Sequence, residues 1–423
     1  MNTLFTNAKI LQPDGTILSG CLGVADDRIA FVGEQPEEFL VERRIDCGQN
    51  LLMPSLVNAH VHLPMVLFRN IADDMDLHTW LREKIWPMEA LLTPEDVYWG
   101  ALLAAAELIR GGCTTVNDMY LHPEMCCRAA AESGLRGLFG VGILSGSDGG
   151  ASGLSLTESL YHEWHNAEGG RIRMAVMPHA EYTCTKETLK KCGELAQKLN
   201  VPLHMHISET FQEHEECKER HHFTPTALLA SLGMLNKNCL LAHCVHCDVE
   251  DLQLLSSTHA TVLHCPQSNL KLGSGIAPVQ TMLAYGINVS LGTDGASSNN
   301  NLDMFEELRL AATLHKGVTM NPLAVKANEA LAMATRNGAQ ALGFESGALL
   351  PGALADLILL DLHSPAMQPC YDPKNAAVYS ASASDVLLTM GNGRILYENG
   401  EYYTLDVDRI YSEIARVSEK FRG

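Results

Sequence analysis

Apolar positions recur along the chain in two textures. The first fifty residues alternate apolar and polar positions over short stretches broken by turn residues. Gln12-Pro13-Asp14-Gly15 marks one turn, and Asp26-Asp27 sits at the bend of a hairpin over 22–33. Residues 347–362 and 386–403 have the same look, with Gly391-Asn392-Gly393 and Asn399-Gly400 as hairpin turns. A unit as short as the first fifty residues cannot bury a core alone. The two ends of the chain are therefore predicted to build one small β domain together, a β-sandwich over 1–52 and 347–406. Helical spacing over 407–423 predicts a closing helix.

Between the ends, over 53–346, short apolar runs alternate with helical spans. The runs are 56–59, 114–116, 137–143, 172–177, 201–207, 239–242, 260–263 and 287–291. The best-marked helix covers 92–110: Thr93 caps it, Pro94 opens it, Asp96 completes a capping box and Gly111-Gly112 ends it. Eight such βα units predict a (β/α)8 barrel, an α/β fold. A doubly wound sheet is the competing architecture, but no G-x-G-x-x-G or G-x-x-x-x-G-K-[ST] loop accompanies the strands.

Composition narrows the function. The 423 residues are 46% hydrophobic and 19% charged, enough for large cores and too little charge for a disordered chain. A formal charge of −20 repels phosphate backbones and anionic lipid, so neither nucleic acid nor a membrane is an expected partner. No apolar run is long enough to span a bilayer, and the start of the chain carries no secretory pattern. Thirteen scattered Cys suggest reduced thiols and a cytoplasmic location.

Candidate chemistry gathers at the predicted strand ends. His60 and His62 follow the first run, His179 the fourth, His206 and Glu209 the fifth, His243 the sixth, His264 the seventh and Asp294 the eighth. Side chains two apart share a strand face, so His60-Val61-His62 presents two imidazoles together. Chance places about one H-x-H pair in a chain with 18 His, and His204-Met205-His206 is a second. Taken alone, either pair is more simply a packed or solvated histidine.

Context singles out the first pair. It lies in Met53-Pro54-Ser55-Leu56-Val57-Asn58-Ala59-His60-Val61-His62, which resembles the opening motif of the amidohydrolase superfamily, with Ser55 where Gly is usual. The stretches 202–209, 241–244 and 291–295 resemble that superfamily's fifth-, sixth- and eighth-strand motifs, in order. The stretches 80–89, 267–278 and 292–300 are similar to the branch of 5-methylthioadenosine/S-adenosylhomocysteine deaminases, the first of them more particular to it than the other two.

The resemblance implies a metal-dependent barrel hydrolase with one divalent ion on His60, His62, His206 and Asp294. The ion expected is Zn²⁺, while Fe²⁺, Mn²⁺ or Ni²⁺ also suit the donors. Residues 174–180 contain no Lys to bridge a second metal. The implied reaction is hydrolytic deamination of adenosine-type nucleosides: 5′-methylthioadenosine, adenosine or 5′-deoxyadenosine. Asp294 would relay the proton of a metal-activated water, His243 would orient that water and Glu209 would protonate the ring nitrogen. Glu89 would meet the ribose hydroxyls and His179 the substrate. Members of the branch that accept S-adenosylhomocysteine commonly carry an Arg after the third strand. Val141 or a neighbour stands there, and no Arg lies between Arg136 and Arg171, so that substrate is expected to be poor.

The alternative on the same scaffold is deamination of another purine or pterin base, or triazine dechlorination. The expected partners are the small nucleoside and further copies of the chain, as a homo-oligomer. Cys244-Val245-His246-Cys247 lacks a second cysteine pair, and its role is open. Asp73-Asp74-Met75-Asp76 reads as a solvated loop, His204 as packing behind the metal ligands, and His264 as ambiguous.

Overall fold

The computed structural model describes residues 1–421. Nine strands from the two ends of the chain form one sheet: β1 Thr3–Leu11, β2 Ile17–Ala25, β3 Arg28–Gly33, β4 Arg43–Asp46, β5 Leu51–Pro54, β16 Leu357–Leu360, β17 Val386–Gly391, β18 Arg394–Glu398 and β19 Glu401–Tyr402. Its spatial order is β19-β18-β17-β16-β5-β1-β2-β3, with β4 also pairing β1. The joint between the two ends is β5 against β16, antiparallel, with Met53 opposite Ile358. Phe5, Ile10, Leu22, Leu52, Leu357 and Met390 form its own core. This is the pairing that a fifty-residue end, too short to fold alone, requires.

The middle of the chain supplies β6 Leu56–Val61, β7 Cys113–Met119, β8 Arg136–Gly140, β9 Gly142–Ile143, β10 Ile172–Met174, β11 Met177–Pro178, β12 Leu203–Ile207, β13 Cys239–His243, β14 Thr261–His264 and β15 Asn288–Leu291. β6, β7, β8 and β10 run parallel, as do β12, β13, β14 and β15. Two further links close the ring. The N–H of His204 donates to Val176 O and that of His206 to His179 O, both at 3.0 Å. On the other side the Asp294 N–H donates to His60 O at 2.9 Å. The result is the predicted barrel. Two of the predicted strands are each split, at Val141 and at Ala175-Val176, into β8/β9 and β10/β11.

Barrel strands β7, β8, β12, β13 and β14 are buried along their whole length, which explains why they read as runs rather than as alternation. Gly292 permits the last closure. A Cβ there would lie 2.7 Å from the backbone N and O of His60, so any larger residue would push β15 away from β6. The capping box of the helix Pro94–Arg110 is present as predicted. The closing helix is Val407–Ser418, and the last two positions of the predicted 407–423 span lie outside the described residues. Lys420 beyond it pairs with Asp96 at 2.5 Å, which ties the C-terminal segment to that capping box. None of the described helices is long and apolar enough to cross a membrane.

Candidate active site and metal centre

The C-terminal ends of the barrel strands surround a cavity of about 320 Å³. Three strand-end residues at this rim have a left-handed backbone. Ser208, His243 and Asp294 have φ of +47°, +70° and +64°, each in the left-handed region at a strand end. Such conformations cost on the order of 1–3 kcal/mol each and persist where surrounding structure over-determines them. Here they turn the chain so that His243 and Asp294 point into the cavity.

Four predicted ligands converge on its floor. His60 Nε2 and His62 Nε2 lie 3.5 and 3.2 Å from Asp294 Oδ1, and His62 Nε2 lies 3.4 Å from His206 Nε2. The far nitrogen of each ring is already engaged. His62 Nδ1 donates to Met119 O at 2.5 Å and His206 Nδ1 to His179 O at 2.7 Å. His60 Nδ1 meets His204 Nε2 at 3.0 Å, while His204 Nδ1 donates to Leu240 O at 2.9 Å. That chain makes His204 the acceptor and His60 Nδ1 the donor. All three rings are thereby held with the Nε2 lone pair facing the cavity. His60 Nε2 is buried and has no hydrogen-bond partner, which suits a ligand of a divalent ion.

The carboxylate of Asp294 is oriented from both sides. Oδ2 accepts from Ser268 Oγ at 2.6 Å and Ser298 Oγ at 2.9 Å, and Oδ1 accepts from Gly295 N at 2.7 Å. Burial opposes its charge, but His60 and His62 outweigh that and hold it well below the usual carboxylate range. Burial likewise opposes charge on His62, yet the Asp294 contact lifts it to about 9. His60 goes the other way, to about 4, because burial dominates there.

Two further groups flank this floor. His243 Nδ1 donates to Asn269 Oδ1 at 2.8 Å, and its Nε2 faces Glu209 Oε2 at 3.7 Å. Ser274 Oγ donates to Glu209 at 3.4 Å, and burial pushes the Glu209 carboxyl above its ordinary value. His179 borders the cavity with its ring 4.8 Å from that of His206 and its Nδ1 on Thr183 Oγ1 at 3.1 Å. Glu89 comes from the short helical turns over 77–89, which cover the mouth with Trp80, Leu81 and Ile85. Seven of the eight predicted site residues, His62, Glu89, His179, His206, Glu209, His243 and Asp294, line one cavity, and the eighth, His60, is buried against His62, His206 and Asp294.

The remaining candidates lie elsewhere. Asp73 pairs with Lys271 at 2.6 Å and Asp76 caps the helix Leu77–Trp80, so the acidic loop is structural. His264 faces His315 at 3.3 Å. Cys244 is buried and Cys247 Sγ points at the Cys244 carbonyl at 3.5 Å; among the described residues neither joins a group of convergent ligand atoms. Sequence reasoning quoted Ser268, Asn269, Ser274 and Ser298 within motifs but assigned them no part. It missed Tyr120, which follows β7 and lines the cavity.

The chain is similar to known proteins. The model of the amidohydrolase family matches residues 51–396. A 5-methylthioadenosine/S-adenosylhomocysteine deaminase of Moorella thermoacetica is 45% identical over 425 residues, covering 97% of this chain and 99% of the relative. One of Pyrococcus furiosus is 43% identical, covering 98% of this chain and 100% of the relative. Among solved structures, an adenosine deaminase from Xanthomonas campestris with bound zinc superposes with a TM-score of 0.95 at 31% identity, covering 99% of this chain and 98% of that one. An atrazine chlorohydrolase from Arthrobacter aurescens, at TM-score 0.92 and 24% identity, shares the fold. The chain belongs to the amidohydrolase family, in the branch of the 5-methylthioadenosine/S-adenosylhomocysteine deaminases.

Proposed function

We propose that the protein is a metal-dependent deaminase that hydrolyses adenosine-type nucleosides to the inosine analogue and ammonia. The observation that carries this reading is one cavity holding three imidazole Nε2 atoms, the Asp294 carboxylate and a buried Glu209, with Glu89 at its mouth. His60, His62, His206 and Asp294 would hold the ion, for which zinc suits the donor set best. When bound, such an ion supplies Lewis acidity that brings a water's pKa toward about 7.

The chain's own groups account for the rest. The amine at C6 is replaced by water, so one proton must reach the ring nitrogen and another the departing amine. Glu209, whose carboxyl burial raises above its ordinary value, donates to the ring nitrogen. Asp294 takes the water's proton and passes it to the amine, its two serine donors holding the carboxylate in place. His243, its Nδ1 fixed by Asn269, directs Nε2 at the water. Glu89 accepts from the sugar hydroxyls, a contact that a free base does not offer.

Ammonia release from adenosine and 5′-methylthioadenosine tests the reading directly, before and after chelation and re-addition of zinc. Turnover that is lost on chelation and restored by zinc supports it. Release from guanine or a pterin with none from any adenosine overturns the substrate class.

A further inference from the structure

Tyr120 is a polar side chain of this cavity that has no task in the chemistry above, and its neighbour there is Glu89. It is 4% exposed, and its hydroxyl lies beside the Glu89 carboxylate without a well-formed hydrogen bond. Its backbone is fixed by the sheet, the N–H donating to Gly140 O at 3.1 Å. The ring centroid lies 6.4 Å from that of His62, and the residue lines the cavity together with Glu89. Burial, then the nearby charge of Glu89 and the approach of the hydroxyl to that carboxylate, push the phenol well above its ordinary value, so the oxygen carries its proton and sits beside Glu89. A buried O–H donor without a full partner is destabilising, and such a group in a ligand cavity calls for an acceptor from the ligand.

The chemistry of the sugar supplies one. A ribose hydroxyl is both donor and acceptor, whereas an ionised carboxylate only accepts. Glu89 therefore satisfies the proton of a sugar hydroxyl and leaves the oxygen lone pairs bare against apolar walls. The Tyr120 hydroxyl is the complementary donor on the same cavity.

We propose that Tyr120 is a substrate-binding residue whose hydroxyl donates to a vicinal sugar hydroxyl that Glu89 accepts from, so that the pair selects ribonucleosides over deoxynucleosides. The assignment rests on the nucleoside reading of the site.

Tyr120→Phe removes the donor and little else. The test compares kcat and KM of zinc-loaded wild type and variant on adenosine, 2′-deoxyadenosine and 3′-deoxyadenosine, with metal content and Tm measured on both. The expected result is unchanged metal content and Tm, kcat within about threefold, and KM for adenosine raised about tenfold by loss of one hydrogen bond. For the deoxy analogue that lacks the contacted hydroxyl, wild type and variant should coincide. Tyr120→Met, of similar bulk and also without a donor, should repeat the pattern and decides the matter if the Phe variant folds poorly. An adenosine kcat/KM within twofold of wild type overturns the assignment. So does an equal loss on all three substrates, which would make Tyr120 a packing residue. Wild type inactive on all three would overturn the nucleoside reading, and the Tyr120 assignment with it.

Discussion

The carboxylate of Glu213 accepts the backbone N–H of Glu209 at 2.7 Å and that of Ser208 at 3.1 Å. Ser208 is in the left-handed region, so the turn that aims Glu209 into the cavity is held by a side chain from the following helix, Phe211–His221. His206, three residues earlier, is fixed separately through His179 O. Glu213→Ala should therefore lower kcat by about 10- to 100-fold through misplacement of Glu209, while metal content stays at the wild-type level. Steady-state kinetics together with metal analysis of the variant check this.

Glu209→Gln should keep metal and fold and lose on the order of 10²–10⁴ in kcat, since an amide cannot donate the ring proton. The sign of the pH dependence follows from burial, which raises the carboxyl. Its acid form is present at low pH and is lost as pH rises through that raised value. Wild-type kcat should fall on the alkaline side, and the variant should lack that limb. Normal turnover by the variant would remove Glu209 from the reaction.

Metal loading should release a proton. In the ion-free protein His62 is raised to about 9 by Asp294, so below that pH an arriving ion displaces its proton. Zinc titration of chelated protein in weak buffer at pH 7 should release at least one proton per ion, with affinity rising with pH. A pH-independent affinity would contradict this. Asp294→Ala should abolish turnover, and His60→Ala should abolish turnover and metal retention.

The 5′ substituent should be uncharged. None of the residues lining the cavity is Lys or Arg; Glu89, Glu209 and Asp294 are its acids, and Leu77, Leu81, Ile85 and Leu144 are among its apolar walls. An amino-acid tail would bring a carboxylate with no cation to meet it. 5′-Methylthioadenosine should exceed S-adenosylhomocysteine in kcat/KM by about tenfold or more, the worth of one charge-assisted contact. Competition between the two substrates measures the ratio, and equality would show that a cation reaches the tail.

Strand alternation put His60 and His62 on one face, but it marked His204 and His206 equally; only the surrounding motif, through its resemblance to the amidohydrolase superfamily, singled out the first pair. Asp294, His206, Glu209 and His243 were legible once the strand ends were counted, since barrel strands present functional side chains at their C-terminal ends. The fully buried runs, the capping box at Thr93 and Asp96, and the need for the two chain ends to join are equally local statements about burial and turn chemistry.

What each imidazole can do was decided only in three dimensions. The Nδ1 partners of His62, His206 and His60 are Met119, His179 and His204, which lie 57, 27 and 144 residues away. Those separations are closed by strand register, and register is set by cooperative packing around the whole ring rather than by the residues that meet. The same holds for Ser268 and Ser298 on Asp294 and for the unpaired Tyr120 hydroxyl. A hydroxyl becomes an oriented donor or an orphan according to what burial leaves beside it, and no pattern along the chain carries that information.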